Sequence, residues 1–188
     1  MDLSKFKTTD WLKVGGAAAF VVFGFFDWVT FEYMGFGGEG GNVFDFTWTG
    51  TIPWILIVGV GITSFLLVSG SMKPGNLPWG VIHVLAAGLA AVLVLIRLII
   101  NPLEGKSEME ALGGDVGVGF GLIVCAIAAV AVAAGSVMAF TAAGGNLKDL
   151  TDANKLKAQF GGSQGGPSAP PPPPPGGMAP PPPPPPGG

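Results

Sequence analysis

Charge is what this chain has least of. Of 188 residues only 11% are charged, nine basic and twelve acidic, against about 25% in an ordinary soluble domain. The chain also has one cysteine (Cys125), one histidine (His83) and one tyrosine (Tyr33). A lone cysteine excludes an intrachain disulfide and a cysteine-built zinc site. A lone histidine removes the usual histidine metal clusters and Cys–His catalytic pairs. The motifs G-x-S-x-G, G-x-x-x-x-G-K-[ST] and H-E-x-x-H are missing, and with them the commonest hydrolase, nucleotide-binding and metalloprotease signatures. The lysines form no cluster dense enough to hold nucleic acid. The expectation is a protein that is not an enzyme, with no catalytic residue, no cofactor and no metal.

What is abundant is apolar residue and glycine. Hydrophobic residues make up 49% of the chain and the mean hydropathy is +0.57. Four apolar runs reach spanning length, at about 14–31, 52–70, 79–100 and 116–140. Each is roughly 18–25 residues, and at ~1.5 Å per residue that covers a hydrocarbon core of ~30 Å. In lipid such runs must be helical, because an unpaired backbone group finds no water there. The expected fold class is therefore an all-α membrane protein of four transmembrane helices. Thr51 and Pro53 open the second run, Pro74 and Pro78 hold the turn before the third, and Gly144-Gly145 follows the fourth. Lys5 and Lys7 before the first run could suggest a signal peptide. The bulky stretch Asp27–Glu32 that follows has no small-residue cleavage site, so the run reads as an uncleaved anchor.

The few charges are sorted. Lys5, Lys7, Lys13, Lys73, Lys148, Lys155 and Lys157 fall on one side of the spans. Asp27, Glu32, Glu39, Asp45, Glu104, Glu108, Glu110 and Asp115 fall on the other, with Arg97 and Lys106. Cations accumulate on the cytoplasmic side, so both termini are expected inside a plasma (inner) membrane. Residues 1–12 then form a cytoplasmic N-terminus and 13–145 the membrane domain. Residues 146–160 read as an amphipathic juxtamembrane helix, with Leu147, Leu150, Leu156 and Phe160 against the leaflet. In the loop after the first span, Phe44, Phe46 and Trp48 alternate, which predicts a short strand or extended flap at the interface.

Residues 161–188 are a different material, with eight glycines and fourteen prolines. The proline runs Pro170–Pro175 and Pro180–Pro186 favour extended polyproline II, which aromatic-grooved domains bind at little entropic cost. Pro170, Pro175, Pro180 and Pro186 bound the two candidate docking segments of a disordered tail. The expected partners are the lipid bilayer, a cytoplasmic polyproline-binding protein and, as an option, a second copy of the chain.

Inside the spans only Asp27 and Arg97 carry charge, at matched depth, making them a candidate ion pair. His83 reads as an interhelical hydrogen-bonding residue and Cys125 as a buried, inert thiol. Gly113, Gly117, Gly121, Cys125, Ala129 and Ala133 recur every four residues. They form a small ridge against which another helix, of this chain or a second copy, can pack closely.

Several local patterns carry a family likeness. They are Asn42-Val43-Phe44-Asp45, Ile52-Pro53-Trp54, Leu77-Pro78-Trp79, the Leu95-Ile96-Arg97-Leu98-Ile99 exit and the Gly117–Gly121 entry. Over about residues 11–140 the chain resembles uncharacterised four-helix membrane proteins of actinobacteria. That resemblance implies the four-span layout and brings no activity with it. The leading functional expectation is a non-enzymatic membrane scaffold or interaction protein with a docking tail. The alternative is a small oligomeric transporter or channel subunit.

Overall fold

The computed structural model describes residues 6–34, 36–38, 40–100 and 106–160. The proline segments bounded by Pro170, Pro175, Pro180 and Pro186 lie outside the described residues, as do Lys5, Glu39 and Glu104. Helix dominates. Helix α1 spans Thr8–Gly24, α2 Ile52–Val68, α3 Trp79–Ile100, α4 Lys106–Ala111, α5 Phe120–Ala142 and α6 Ala153–Phe160. Strands β1 (Val29–Tyr33), β2 (Phe36–Gly38) and β3 (Gly114–Val118) form one antiparallel sheet in the order β2-β1-β3.

Among the described residues three helical stretches, Thr47–Val68, Trp79–Ile100 and Phe120–Ala142, are long and apolar enough to cross a membrane. Their outward faces carry exposed Ile55, Ile62, Leu89, Val92, Ile99 and Ile127, so these helices are apolar on both faces, as a lipid solvent requires. The third and second runs match α3 and α2 closely. The first and fourth are shifted. The sequence predicts a span over 14–31; the helix instead runs from Thr8 to Gly24, and the aromatic end of that run is strand β1. Helix α5 begins at Phe120 rather than at 116, because residues 114–118 pair with β1 across the register Val29–Val118 to Tyr33–Gly114. Val, Thr, Phe and Tyr favour a pleated surface, and a glycine-rich partner lets it approach.

Helix α1 packs against α5 and α2, and α3 packs against the same two, so the four long helices close into an antiparallel ring. The buried positions recur at three- and four-residue steps: Asp10, Lys13, Ala17, Phe20 and Gly24 on α1, Pro53, Ile57, Val60 and Ser64 on α2, and His83, Ala87, Ala90, Val94 and Arg97 on α3. This is the seam spacing of a bundle. Glycine makes the α1–α5 contact close. A Cβ on Gly135 would sit 2.9 Å from the Leu12 Cβ and 3.0 Å from the Thr9 carbonyl, and one on Gly121 would sit 2.7 Å from the Phe26 carbonyl. The small ridge therefore faces a helix of the same chain over Gly121, Cys125 and Ala129, with Ala133 half-buried beside them. Gly113 and Gly117 are not part of that helical ridge: Gly113 turns the chain at φ 79° before β3, and Gly117 lies within the strand opposite Thr30.

Two other expectations are corrected. The alternating aromatics make helical turns, not a strand. Asn42 Oδ1 accepts the Phe44 amide at 2.9 Å and Asp45 Oδ2 accepts the Asn42 amide at 2.7 Å, which closes a 3-10 turn over Val43–Asp45. A π-helical turn over Thr47–Thr51 then leads into α2. The juxtamembrane segment is likewise two pieces, a 3-10 turn over Leu147–Leu150 and the two-turn α6. Asp152 caps α6 by accepting the Asn154 amide at 2.9 Å. The Lys155 ammonium lies 2.6 Å from Asp149, and that hydrogen bond pushes the lysine pKa up.

Candidate functional site

The ring has two unlike ends. At one end lie the start of α1, the end of α2, the start of α3 and the end of α5, with Lys7, Lys13, Lys73, Lys148, Lys155 and Lys157 on or near them. At the other lie the sheet and Asp27, Glu32, Asp45, Glu108, Glu110 and Asp115. The charge sorting legible in the sequence is thus a property of the folded bundle.

The polar chemistry sits inside the lysine-rich end. Asp10, in the first turn of α1, does two things. Its Oδ2 accepts the Lys7 backbone N–H at 3.2 Å, which satisfies an orphan donor of the helix start, and its Oδ1 pairs with the Lys13 ammonium at 3.0 Å. Both residues point inward, Asp10 at 8% and Lys13 at 6% exposure. An ion pair this buried is held by its geometry. Removing either partner strands the other charge, at a cost of about 3–5 kcal/mol.

Across the ring from this pair, His83 of α3 bonds Thr63 of α2 through Nε2 at 2.9 Å, the interhelical role expected of it. The Thr63 hydroxyl gives its proton to the Gly59 carbonyl at 2.7 Å, so it accepts from His83 Nε2–H, and Nδ1 keeps its lone pair. Ser136 of α5 spends its proton on the Val132 carbonyl at 2.8 Å. Ser64 of α2 is different: it is 1% exposed, and its hydroxyl has no hydrogen-bond partner among the described residues.

Asp10, Lys13, Ser64, His83 and Ser136 line one cavity of about 280 Å³. A second hollow of about 410 Å³, edged by Lys7 and Thr9, shares Asp10, Val68, Ala139 and Ala143 with it and leads to the end of the bundle. Beyond Ser64 and His83 the interior is filled by Phe20, Ile57, Ala90, Val94, Cys125 and Val132. The sequence reading missed this site because it assigned residues up to 12 to a solvated terminus. The seam spacing from Asp10 through Gly24 was the available signal that α1 begins earlier and carries two charges inward.

Asp27 and Arg97 lie at the opposite end and are differently placed. Asp27 is exposed, and the fold uses its backbone carbonyl, which accepts the Gly121 amide at 3.0 Å. Arg97 is 8% exposed, with its guanidinium carbon 3.8 Å from the centre of the Phe46 ring. Phe46 stacks on Trp28 at 6.4 Å, and Trp28 meets Phe20 edge-on at 6.2 Å. Asp10–Lys13 and Asp149–Lys155 are ion pairs among the described residues. Cys125, with its Sγ 3.8 Å from the Phe20 carbonyl, is a core residue. No group of three or more metal-ligating side chains occurs among the described residues. Compared with protein-family models, curated proteins and solved structures, the chain matches none.

Proposed function

We propose that the chain is a plasma-membrane protein whose four long helices all cross the bilayer, with the lysine-rich end and both termini in the cytoplasm. Helix α1 is the addition to the three apolar stretches. At 17 residues it spans about 26 Å, and its two charges are removed from lipid by pairing with each other. The carrying observation is the charge sorting: the described lysines of the termini and of the α2–α3 turn gather at one end of the ring, and the cytoplasmic excess of cations is the strongest rule of membrane orientation. Among the described residues the acids at that end, Asp10, Asp149 and Asp152, are each taken up in an ion pair or a cap.

The function we assign is non-enzymatic. The membrane domain presents the tail of residues 161–188 to a cytoplasmic polyproline-binding protein, in line with the layout implied by the likeness to actinobacterial four-helix proteins. The cavity beside Ser64 favours a second reading, a small transporter. Against it stands the apolar packing that fills the ring beyond His83, where a pore calls for polar lining.

Single cysteines in a Cys125→Ala background test the arrangement. With a membrane-impermeant thiol reagent on intact cells, Gly37→Cys and Ser107→Cys should label, while Ser71→Cys and Ser163→Cys should label only after permeabilisation. Labelling of Ser71→Cys from outside would invert the orientation. Opposite accessibility of positions 71 and 163 would mean that the number of crossings is wrong.

A further inference from the structure

The Ser64 hydroxyl is, with Trp54 Nε1, a buried polar group of α2 that has no hydrogen-bond partner among the described residues. A buried donor left unmade costs about 1–3 kcal/mol, and Ser64 stands in the wall of a cavity of about 280 Å³ with its hydroxyl oxygen itself closed off from the cavity surface. The hydrogen-bond accounts around that cavity are uneven. Both carboxylate oxygens of Asp10 are engaged, one by Lys7 N–H and one by Lys13. The Lys13 ammonium has three N–H donors, of which one is recorded on Asp10. Ser136 has spent its proton and His83 Nε2 is engaged, while Ser64 has spent nothing. The donors that remain are two N–H groups of Lys13 and the Ser64 O–H, beside the His83 Nδ1 lone pair and the two serine oxygens as acceptors. The charges lining the cavity and its mouth are Lys7 and Lys13 against Asp10, a net of one positive.

Depth narrows the occupant. Ser64 lies four residues from the end of α2 and His83 four from the start of α3, so the cavity floor is about 6 Å inside the helix ends. Since the helices only about match the hydrocarbon thickness, that floor lies near the boundary of hydrocarbon and headgroups, within reach of the headgroup layer of roughly 5–7 Å. With liquid water at about 30 Å³ per molecule, the cavity has room for one phosphate-sized group with some hydration.

We propose that this cavity is an anion site that takes a single phosphate group, held by the Lys13 ammonium and the Ser64 hydroxyl at the lysine-rich end of the ring. A phosphodiester monoanion is acceptor-only and matches the unspent donors. A cation would have to displace Lys13 from Asp10. The phosphate can come from a lipid headgroup of the adjoining leaflet or from free phosphate in water, since the mouth opens at the bundle end.

Thermal unfolding of the full chain in neutral maltoside micelles separates the sources. Inorganic phosphate is titrated against sodium chloride of equal ionic strength, and dihexanoyl-phosphatidylglycerol against dihexanoylglycerol. A ligand that binds only the folded state raises Tm with concentration, following its Kd. The expected result is a rising Tm with at least one phosphate-bearing ligand and none with its control. Response to phosphate indicates the free ion; response to the lipid alone indicates a headgroup. Ser64→Ala removes a hydroxyl that makes no bond in the protein, so its ligand-free Tm should stay level or rise. Its affinity for the ligand should fall roughly ten-fold or more, the loss of one hydrogen bond to a charged group. Ser136→Ala, whose proton is already spent, should bind within about two-fold of wild type. No response to either ligand, an equal response to the controls, or unchanged affinity in Ser64→Ala would each overturn the proposal. The micelle assay is blind to orientation, so its failure is distinct from failure of the topology read by cysteine labelling.

Discussion

Arg97 and Lys13 show two ways of carrying a cation inside an apolar bundle. Lys13 has a carboxylate one turn away on its own helix, while Arg97, at the acidic end, lies against the face of Phe46. A guanidinium over a ring contributes about 0.5–1 kcal/mol when exposed and about 2 when desolvated, and Arg97 is nearly desolvated. A double-mutant cycle with Phe46→Leu and Arg97→Met should therefore return a coupling of about 0.5–2 kcal/mol in chemical unfolding. The same cycle with Asp27→Asn in place of Phe46→Leu should be additive to within about 0.5 kcal/mol, because Asp27 faces outward. Strong Asp27–Arg97 coupling would instead support the ion pair that depth matching along the sequence suggests. The sequence could match the two depths, because depth follows from counting residues. It could not show which way each side chain faces.

At the scale of elements, the seam between α1 and α5 is set by glycine. Gly16, Gly121 and Gly135 leave no room for a side chain, whereas a Cβ on Gly88, on α3, meets nothing within 4 Å. Gly135→Leu should thus lower Tm and folded yield in detergent, with overpacking costing about 1–3 kcal/mol or more. Gly88→Leu, by contrast, should leave both close to wild type. Equal tolerance at the two sites would mean that α1 does not dock on α5 as described. The four-residue spacing along α5 is legible in the sequence, and Gly121, Cys125 and Ala129 lie on the buried face of that helix. The outer members of that series, Gly113 and Gly117, continue the spacing but not the helix, because the chain there has a strand partner in β1 that no local pattern announces. The strand itself was hidden inside an apolar run: Val29–Tyr33 is as hydrophobic as a helix end, and hydropathy does not separate the two.

At the scale of the whole molecule, the buried residues of the described chain end at Phe140, with nothing buried in α6. Removing residues 161–188 should accordingly leave the thermal unfolding of the membrane domain unchanged while abolishing capture of a polyproline-binding partner. A Tm lowered by several degrees in the truncated chain would mean that the tail packs on its own bundle, and the docking function would fall with it.

Sequence alone determined the features that are sums over neighbours along the chain. The second and third apolar runs, the proline and glycine punctuation around α2 and α3, and the sorting of lysine from carboxylate all depend on composition within a window, and the structure follows them. The tertiary structure decided which residues meet. It joined β1 to β3, turned Phe46 over Arg97, and closed four helix ends around Asp10, Lys13, Ser64 and His83. A charge near the start of a helix reads as solvated because most such charges are. Asp10 and Lys13 escape that rule because they fall on the seam of α1, and burial there is decided by the helices on the other side.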